Sequence, residues 1–177
     1  ERLGIGRPST WATIVDVVLS RDYAFKKGTA LVPTFLATAV TGLMEKYFTD
    51  VVDYEFTAHL EDDLDAISRG EADNLNYLKK FYFGNGHPGL KALVGQGEET
   101  IDPRIVCGLP LGTDEDGRNV EVRIGRYGAF VTNGETRASV PDMLPPEEMT
   151  IERAKQLLVD AAKGPEPLGA HPDNGLQ

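Results

Sequence analysis

The run Gly4-Ile5-Gly6-Arg7-Pro8-Ser9-Thr10-Trp11-Ala12 puts a glycine hinge, a guanidinium and two hydroxyls at what reads as the start of a helix. Gly4 and Gly6 open backbone conformations closed to other residues and leave no side chain between a ligand and the main chain. Pro8 fits the first helical turn, where its missing N–H is no loss. Ser9 and Thr10 either cap that turn or direct their hydroxyls outward with its unpaired N–H groups. Such a terminus carries partial positive charge, and with the forked Arg7 beside it the chemistry suits a phosphate or a carboxylate. The same residues also fit a capped helix after a flexible loop, and spacing alone leaves both readings open.

A second group lies further along. In Val122-Arg123-Ile124-Gly125-Arg126-Tyr127-Gly128-Ala129-Phe130-Val131, with Arg137 following, cations sit close to the rings of Tyr127 and Phe130. Cations beside stacking platforms capture single nucleic-acid strands, although one of the rings in a core and an arginine solvating a sheet satisfy the same pattern. Other groups carry less. His59, His87 and His171 lack metal-ligand spacing. Cys107 is the only cysteine, which excludes an intramolecular disulfide and suggests a small apolar strand position. Glu61, Asp62, Asp63 and Asp65 read as the solvated face of a helix rather than a magnesium site, and Asp114-Glu115-Asp116-Gly117 is a turn without the later ligands of a calcium loop.

Periodicity supplies the elements that hold these groups. A helix is predicted over residues 8–19, with Trp11, Ile14, Val17 and Val18 on one apolar face, then a hairpin over 22–34 with its Lys26-Lys27 tip in solvent. A second helix over 34–48 closes a compact helix-hairpin-helix unit. Phe56, Leu60, Leu64 and Ile67 mark a third helix, and residues 72–83 a fourth. Glycines at 84, 86, 89, 95 and 97 mark residues 84–100 as a linker. Beyond it the period changes to two: Val120, Val122 and Ile124 face one way, with further strands over 105–111, 129–132 and 137–140 and a helix over 150–162. The fold class is α+β, a mainly helical domain with a small hairpin over 1–83, then a small antiparallel sheet plus helix over 101–163.

The chain carries 18 Lys and Arg against 28 Asp and Glu, a net charge of −10, which argues against a uniformly basic DNA-binding surface. The charge is segregated, however, with Arg2, Arg7, Arg21, Lys26 and Lys27 near the start and acids crowded over 45–73. No apolar run is long enough to cross a bilayer and no secretory pattern opens the chain, so a cytoplasmic location is expected. Glu1 leads directly into the glycine loop without an initiator methionine, as in a piece of a longer polypeptide.

Gly4 to Ala12 resembles the GIGRPSTY-A signature of type IA DNA topoisomerases. The resemblance continues in order through Ile14, Ser20-Arg21-Asp22-Tyr23, Lys26-Lys27-Gly28, Leu31-Val32-Pro33-Thr34, Val52-Asp53-Tyr54-Glu55-Phe56-Thr57-Ala58, Leu64-Asp65, Ile67 and Gly70-Glu71. Trp11 stands where the family usually has tyrosine. Val122 to Val131 resembles the GRYGPYV core of the family's C-terminal repeats, with Ala138-Ser139-Val140-Pro141 and Leu144-Pro145-Pro146-Glu147-Glu148 in agreement. Residues 164–177 resemble the start of a further repeat.

The resemblance implies an isomerase that relaxes negatively supercoiled DNA. It cleaves one strand through a tyrosine joined to the 5′ phosphate, passes another strand and reseals the first, the phosphotyrosine storing the energy of the broken bond. Neither the family's Y-M-R-T-D-S nucleophile segment nor its Toprim acidic motif occurs in this sequence, so the chain alone is expected not to cleave DNA. It is expected to hold no cofactor, with magnesium belonging to the full-length enzyme. The implied contacts to single-stranded DNA are Arg7, Ser9, Thr10 and Trp11 in the first domain and Arg123, Arg126, Tyr127 and Phe130 in the repeat. The implied partners are single-stranded DNA and the remaining topoisomerase domains, in a monomer at the nucleoid and away from membranes. An alternative is a winged-helix-like module of a regulator with helix 34–48 in a duplex groove, although that helix offers few residues that read base edges. A nucleotide-binding enzyme fits least, because Gly4-x-Gly6-x-x-Ser9 lacks a preceding strand.

Overall fold

Pro8 at the first turn starts α1 (Pro8–Ser20), which Arg21 ends. Strands β1 (Ala24–Lys27) and β2 (Ala30–Pro33) form a two-stranded hairpin. Four helices follow: α2 (Phe35–Tyr47), the single turn α3 (Thr49–Val52), α4 (Tyr54–Ser68) and α5 (Asn74–Phe83). Carboxylate caps start the last two, Asp53 accepting from the Phe56 N–H at 3.3 Å and Asp73 from the Asn76 N–H at 2.7 Å. Then come α6 (Leu90–Thr100), the short α7 (Pro103–Val106), strands β3 (Gly108–Thr113), β4 (Asn119–Gly125), β5 (Gly128–Thr132) and β6 (Arg137–Ser139), and α8 (Ile151–Lys163). The computed structural model describes residues 4–164, and the further repeat expected over 164–177 falls almost entirely outside them.

The chain divides into two compact units, one running to Ala24 and resuming over Ala37–Val106, the other made of Phe25–Leu36 and the chain from Cys107 onward. The first unit is helical, and most of its apolar side chains are only partly covered. Trp11, Ile14 and Val17 of α1 remain exposed although they share the predicted apolar face.

Helix α6 corrects the expected linker. Gly97 is not there for flexibility: it is buried, and a Cβ on it would lie 3.0 Å from Phe48 Cζ and 3.2 Å from Ile101 Cδ1. A glycine at that position lets a helix pass close to an aromatic ring, a tertiary demand that composition cannot distinguish from a loop.

The second unit is a meander of order β3-β4-β5-β6, antiparallel throughout. Val120, Val122 and Val131 are fully buried on its inner face, where Ala154 and Leu158 of α8 join them. Thr150 caps α8 by accepting from the Arg153 N–H. The strand expected over 105–111 begins later, because Pro103 opens the short α7 and takes Ile105 with it. Cys107 therefore precedes β3 and is half-buried rather than a strand residue. The expected helix-hairpin-helix unit is corrected too. Phe35 is buried in the core of the sheet, and Lys27 Nζ lies 2.7 Å from Glu148 Oε1, so the hairpin goes with the second unit.

Candidate nucleic-acid interface

In the first unit the glycine loop does what its composition predicts: Gly4 and Gly6 take φ of 70° and 72°, in the left-handed region. This lets the loop fold back so that Arg7 becomes the N-cap of α1. Thr10 serves the cap, its Oγ1 accepting from the Arg7 N–H at 3.1 Å and donating to the Arg7 carbonyl at 3.0 Å, so its hydroxyl is engaged by the backbone of its own turn. Ser9 is exposed. Trp11 is 40% exposed and lies against Gly6, where a Cβ would come within 3.0 Å of the indole Nε1.

Arg7 is held by carboxylates of α4. Its Nη2 lies 2.6 Å from Asp65 Oδ2 and its Nη1 3.7 Å from Glu61 Oε2, while Nη1 also donates to the Gly4 and Gly6 carbonyls. Glu61 Oε1 accepts from the Gly6 N–H at 3.2 Å. The hydrogen bond to Asp65 raises the guanidinium pKa further above its ordinary value, against a smaller opposing effect of burial. Arg7 and the Gly6 N–H thus come together on anions that are this chain's own side chains. Glu61 and Asp65 are spaced i, i+4, which puts both on one helix face as a two-pronged acceptor, a signal present in the sequence although the cluster reads there as merely solvated. Glu61 and Asp65 are engaged by Arg7 and the Gly6 N–H, and among the described residues no three His, Cys, Asp or Glu side chains are grouped so as to hold a metal ion.

In the second unit Gly125 pairs with Gly128, leaving Arg126-Tyr127 as a two-residue turn at the tip of β4 and β5. Gly128 takes φ of 111°. Tyr127 projects fully, 95% exposed, with the Arg126 guanidinium 5.8 Å from its ring centre. Because Val131 faces the core, its neighbour Phe130 falls on the outer face, in register with Arg123 on β4 and Ser139 on β6. The Arg137 guanidinium sits 5.7 Å from the Phe130 ring, which also lies against Gly125, where a Cβ would be 3.0 Å from Phe130 Cε1. Arg126, Tyr127, Phe130, Arg137 and Ser139 line an open depression of about 390 Å³. Arg123 does not line it; it is bound to Glu121 at 2.6 Å. Arg137 belongs to this arrangement more closely than Arg123 does.

Residues 1–79 match the family described as DNA topoisomerase, and residues 113–167 match the topoisomerase C-terminal repeat. The chain is 43% identical to DNA topoisomerase 1 of Streptomyces coelicolor and 44% identical to that of Mycobacterium leprae, in each case over 99% of this chain and 20% of the relative. Among solved structures, full-length topoisomerase I from Thermotoga maritima superposes with a TM-score of 0.56 at 27% identity, covering 81% of this chain and 23% of that one. The chain belongs to the family that its sequence resembles, the type IA topoisomerases of the bacterial DNA topoisomerase I kind, a family of isomerases. It spans about one fifth of the length of the curated relatives it matches. No helix among the described residues is long and apolar enough to cross a membrane.

Proposed function

We propose that this chain supplies single-stranded DNA binding and strand positioning to a type IA topoisomerase that relaxes negatively supercoiled DNA through a transient 5′-phosphotyrosine. The nucleophile and the magnesium site belong to other segments of such an enzyme, and the chain alone neither cleaves DNA nor needs a cofactor. The observation that carries this reading is the outward turn of the repeat: Tyr127 almost wholly exposed under Arg126, beside Phe130 under Arg137. A fully exposed ring and a half-buried one, each with a cation beside it, suit unstacked bases and the phosphates between them, and they offer nothing that selects a sequence. Arg7, with Ser9 beside it, adds a phosphate contact in the first unit. Here the strand must compete with Glu61 and Asp65, which makes this contact the weaker of the two.

The test is a salt series of binding to labelled single-stranded and duplex oligonucleotides. The expected result is preference for the single strand without sequence choice, log K falling linearly with log salt by about 0.7 per phosphate contacted. A footprint on a defined duplex site would instead favour the regulator-module reading. Nicking of supercoiled plasmid by the purified chain with magnesium would overturn the assignment of the nucleophile elsewhere.

A further inference from the structure

The end of α5 carries a second pairing of exposed rings with cations, outside both sites described above. Tyr82 is 46% exposed and Phe83 65%; their centroids are 4.9 Å apart in an edge-to-face arrangement. Lys91 at the start of α6 places its ammonium 5.8 Å from the Phe83 centroid. Lys80 is three residues before Phe83, and Lys79 is three before Tyr82 and four before Phe83, so both lysines share a side of the helix with the rings. All three lysines are exposed, and none forms an ion pair among the described residues, in a chain where most arginines near carboxylates are tied to them. Between Asp73 and Glu98 the sequence contains no carboxylate at all, although the whole chain is ten charges negative.

We infer that Tyr82 and Phe83, with Lys79, Lys80 and Lys91, form a further binding platform for single-stranded nucleic acid on the first unit. An apolar partner would account for the rings but not for three free lysines in an acid-free stretch. A polyanion alone would account for the lysines but gain nothing from two exposed rings. A single strand uses both, stacking a base on Phe83 and placing the adjoining phosphates near the ammonium groups. A duplex does not, because its bases are already stacked on one another. The arrangement repeats in the helical unit the chemistry of Arg126 with Tyr127 and Arg137 with Phe130 in the repeat.

This inference rests on the reading that the chain binds single strands, and the experiment separates the two. An oligothymidine carrying 5-iododeoxyuridine is irradiated with the full chain, and the cross-linked peptides are identified. In parallel its affinity is measured for wild type, Phe83→Ala, Tyr127→Ala and the triple variant Lys79→Gln, Lys80→Gln, Lys91→Gln. Cross-links are expected on the peptide containing Tyr82 and Phe83 as well as on that containing Tyr127. Phe83→Ala is expected to raise Kd roughly fivefold or more. The triple variant should reduce the slope of log K against log salt by about 2, the sum of three single-strand phosphate contacts. Cross-links confined to Trp11, Tyr127 or Phe130, with Phe83→Ala binding as wild type while Tyr127→Ala binds weakly, overturn this platform and leave the proposed function standing. Absence of any binding by wild type at low salt overturns both.

Discussion

Arg7 Nη2 lies 2.6 Å from Asp65 Oδ2, so the cap of α1 is fastened to α4 by the guanidinium that a phosphate would otherwise meet. Both partners are partly exposed, so the pair is a solvated contact that an incoming anion can displace rather than a buried lock. Asp65→Asn should therefore tighten single-stranded DNA binding, by roughly twofold to fivefold on the scale of exposed pairs, by releasing Arg7 and removing a like charge. Arg7→Ala should weaken binding and lower the melting temperature only slightly. Oligonucleotide anisotropy and thermal melts of the two variants check this. If Asp65→Asn weakens binding as Arg7→Ala does, the ion pair positions Arg7 for the strand instead of competing with it.

Two glycines in α6 should respond in opposite directions. Gly95 has open space where a Cβ would go, and Gly95→Ala should stabilise the first unit by about 0.5–1 kcal/mol through helix propensity alone. Gly97→Ala brings the same propensity gain but drives a methyl into Phe48 and Ile101, and overpacking of about 1–3 kcal/mol should win. Urea denaturation of both variants decides the matter. Two variants equally stable relative to wild type would mean that residues 90–100 are the loose connection their glycine content suggests.

A third expectation concerns acid. Asp114 is tied into the β3–β4 turn: burial pushes its carboxyl up, but the Arg118 backbone N–H, the Arg118 guanidinium and the Asn133 amide outweigh this and bring it from 3.8 down to about 2. A carboxylate more acidic in the folded state than in the unfolded one contributes stability that is complete above the unfolded value and is lost as pH falls through the folded value. The second unit should thus lose stability between about pH 4 and pH 2. Asp114→Asn should be less stable at neutral pH and show a shallower decline across that window. An unchanged acid profile in Asp114→Asn would assign the decline to other carboxylates.

The helices with a clear apolar stripe were legible, as α4 and α8 illustrate, and so was the alternation of Val120, Val122 and Ile124 in β4. These signals are local: a period carried by residues within one element. What the sequence hid depends on partners far along the chain. Phe35 joins a core built around residues 120–158, and Lys27 meets Glu148 across 121 residues, so the hairpin's allegiance could not be read from its own composition. Gly97 mimics a loop signal while answering to Phe48. At the candidate site the residue types of the Gly4–Thr10 loop were informative, whereas the occupation of Arg7 by Asp65 was not, since nothing in a helix's period says which loop folds onto its polar face.

The two aromatic residues of the repeat should separate stability from binding. Tyr127 is 95% exposed and supports nothing beneath it, so Tyr127→Ala should leave the melting temperature unchanged. Phe130 rests against Gly125 and under Arg137 on the outer face of the sheet, so Phe130→Ala removes packing as well as a ring and should lower it. If both rings stack on bases, each variant should weaken single-strand binding by about 1–3 kcal/mol, compared at a temperature where both are folded. Melting curves and anisotropy titrations on the same samples give the two quantities independently. A Tyr127→Ala variant with undiminished affinity would reduce the turn to a solvated hairpin tip and leave Phe130 with Arg137 as the strand contact of the repeat.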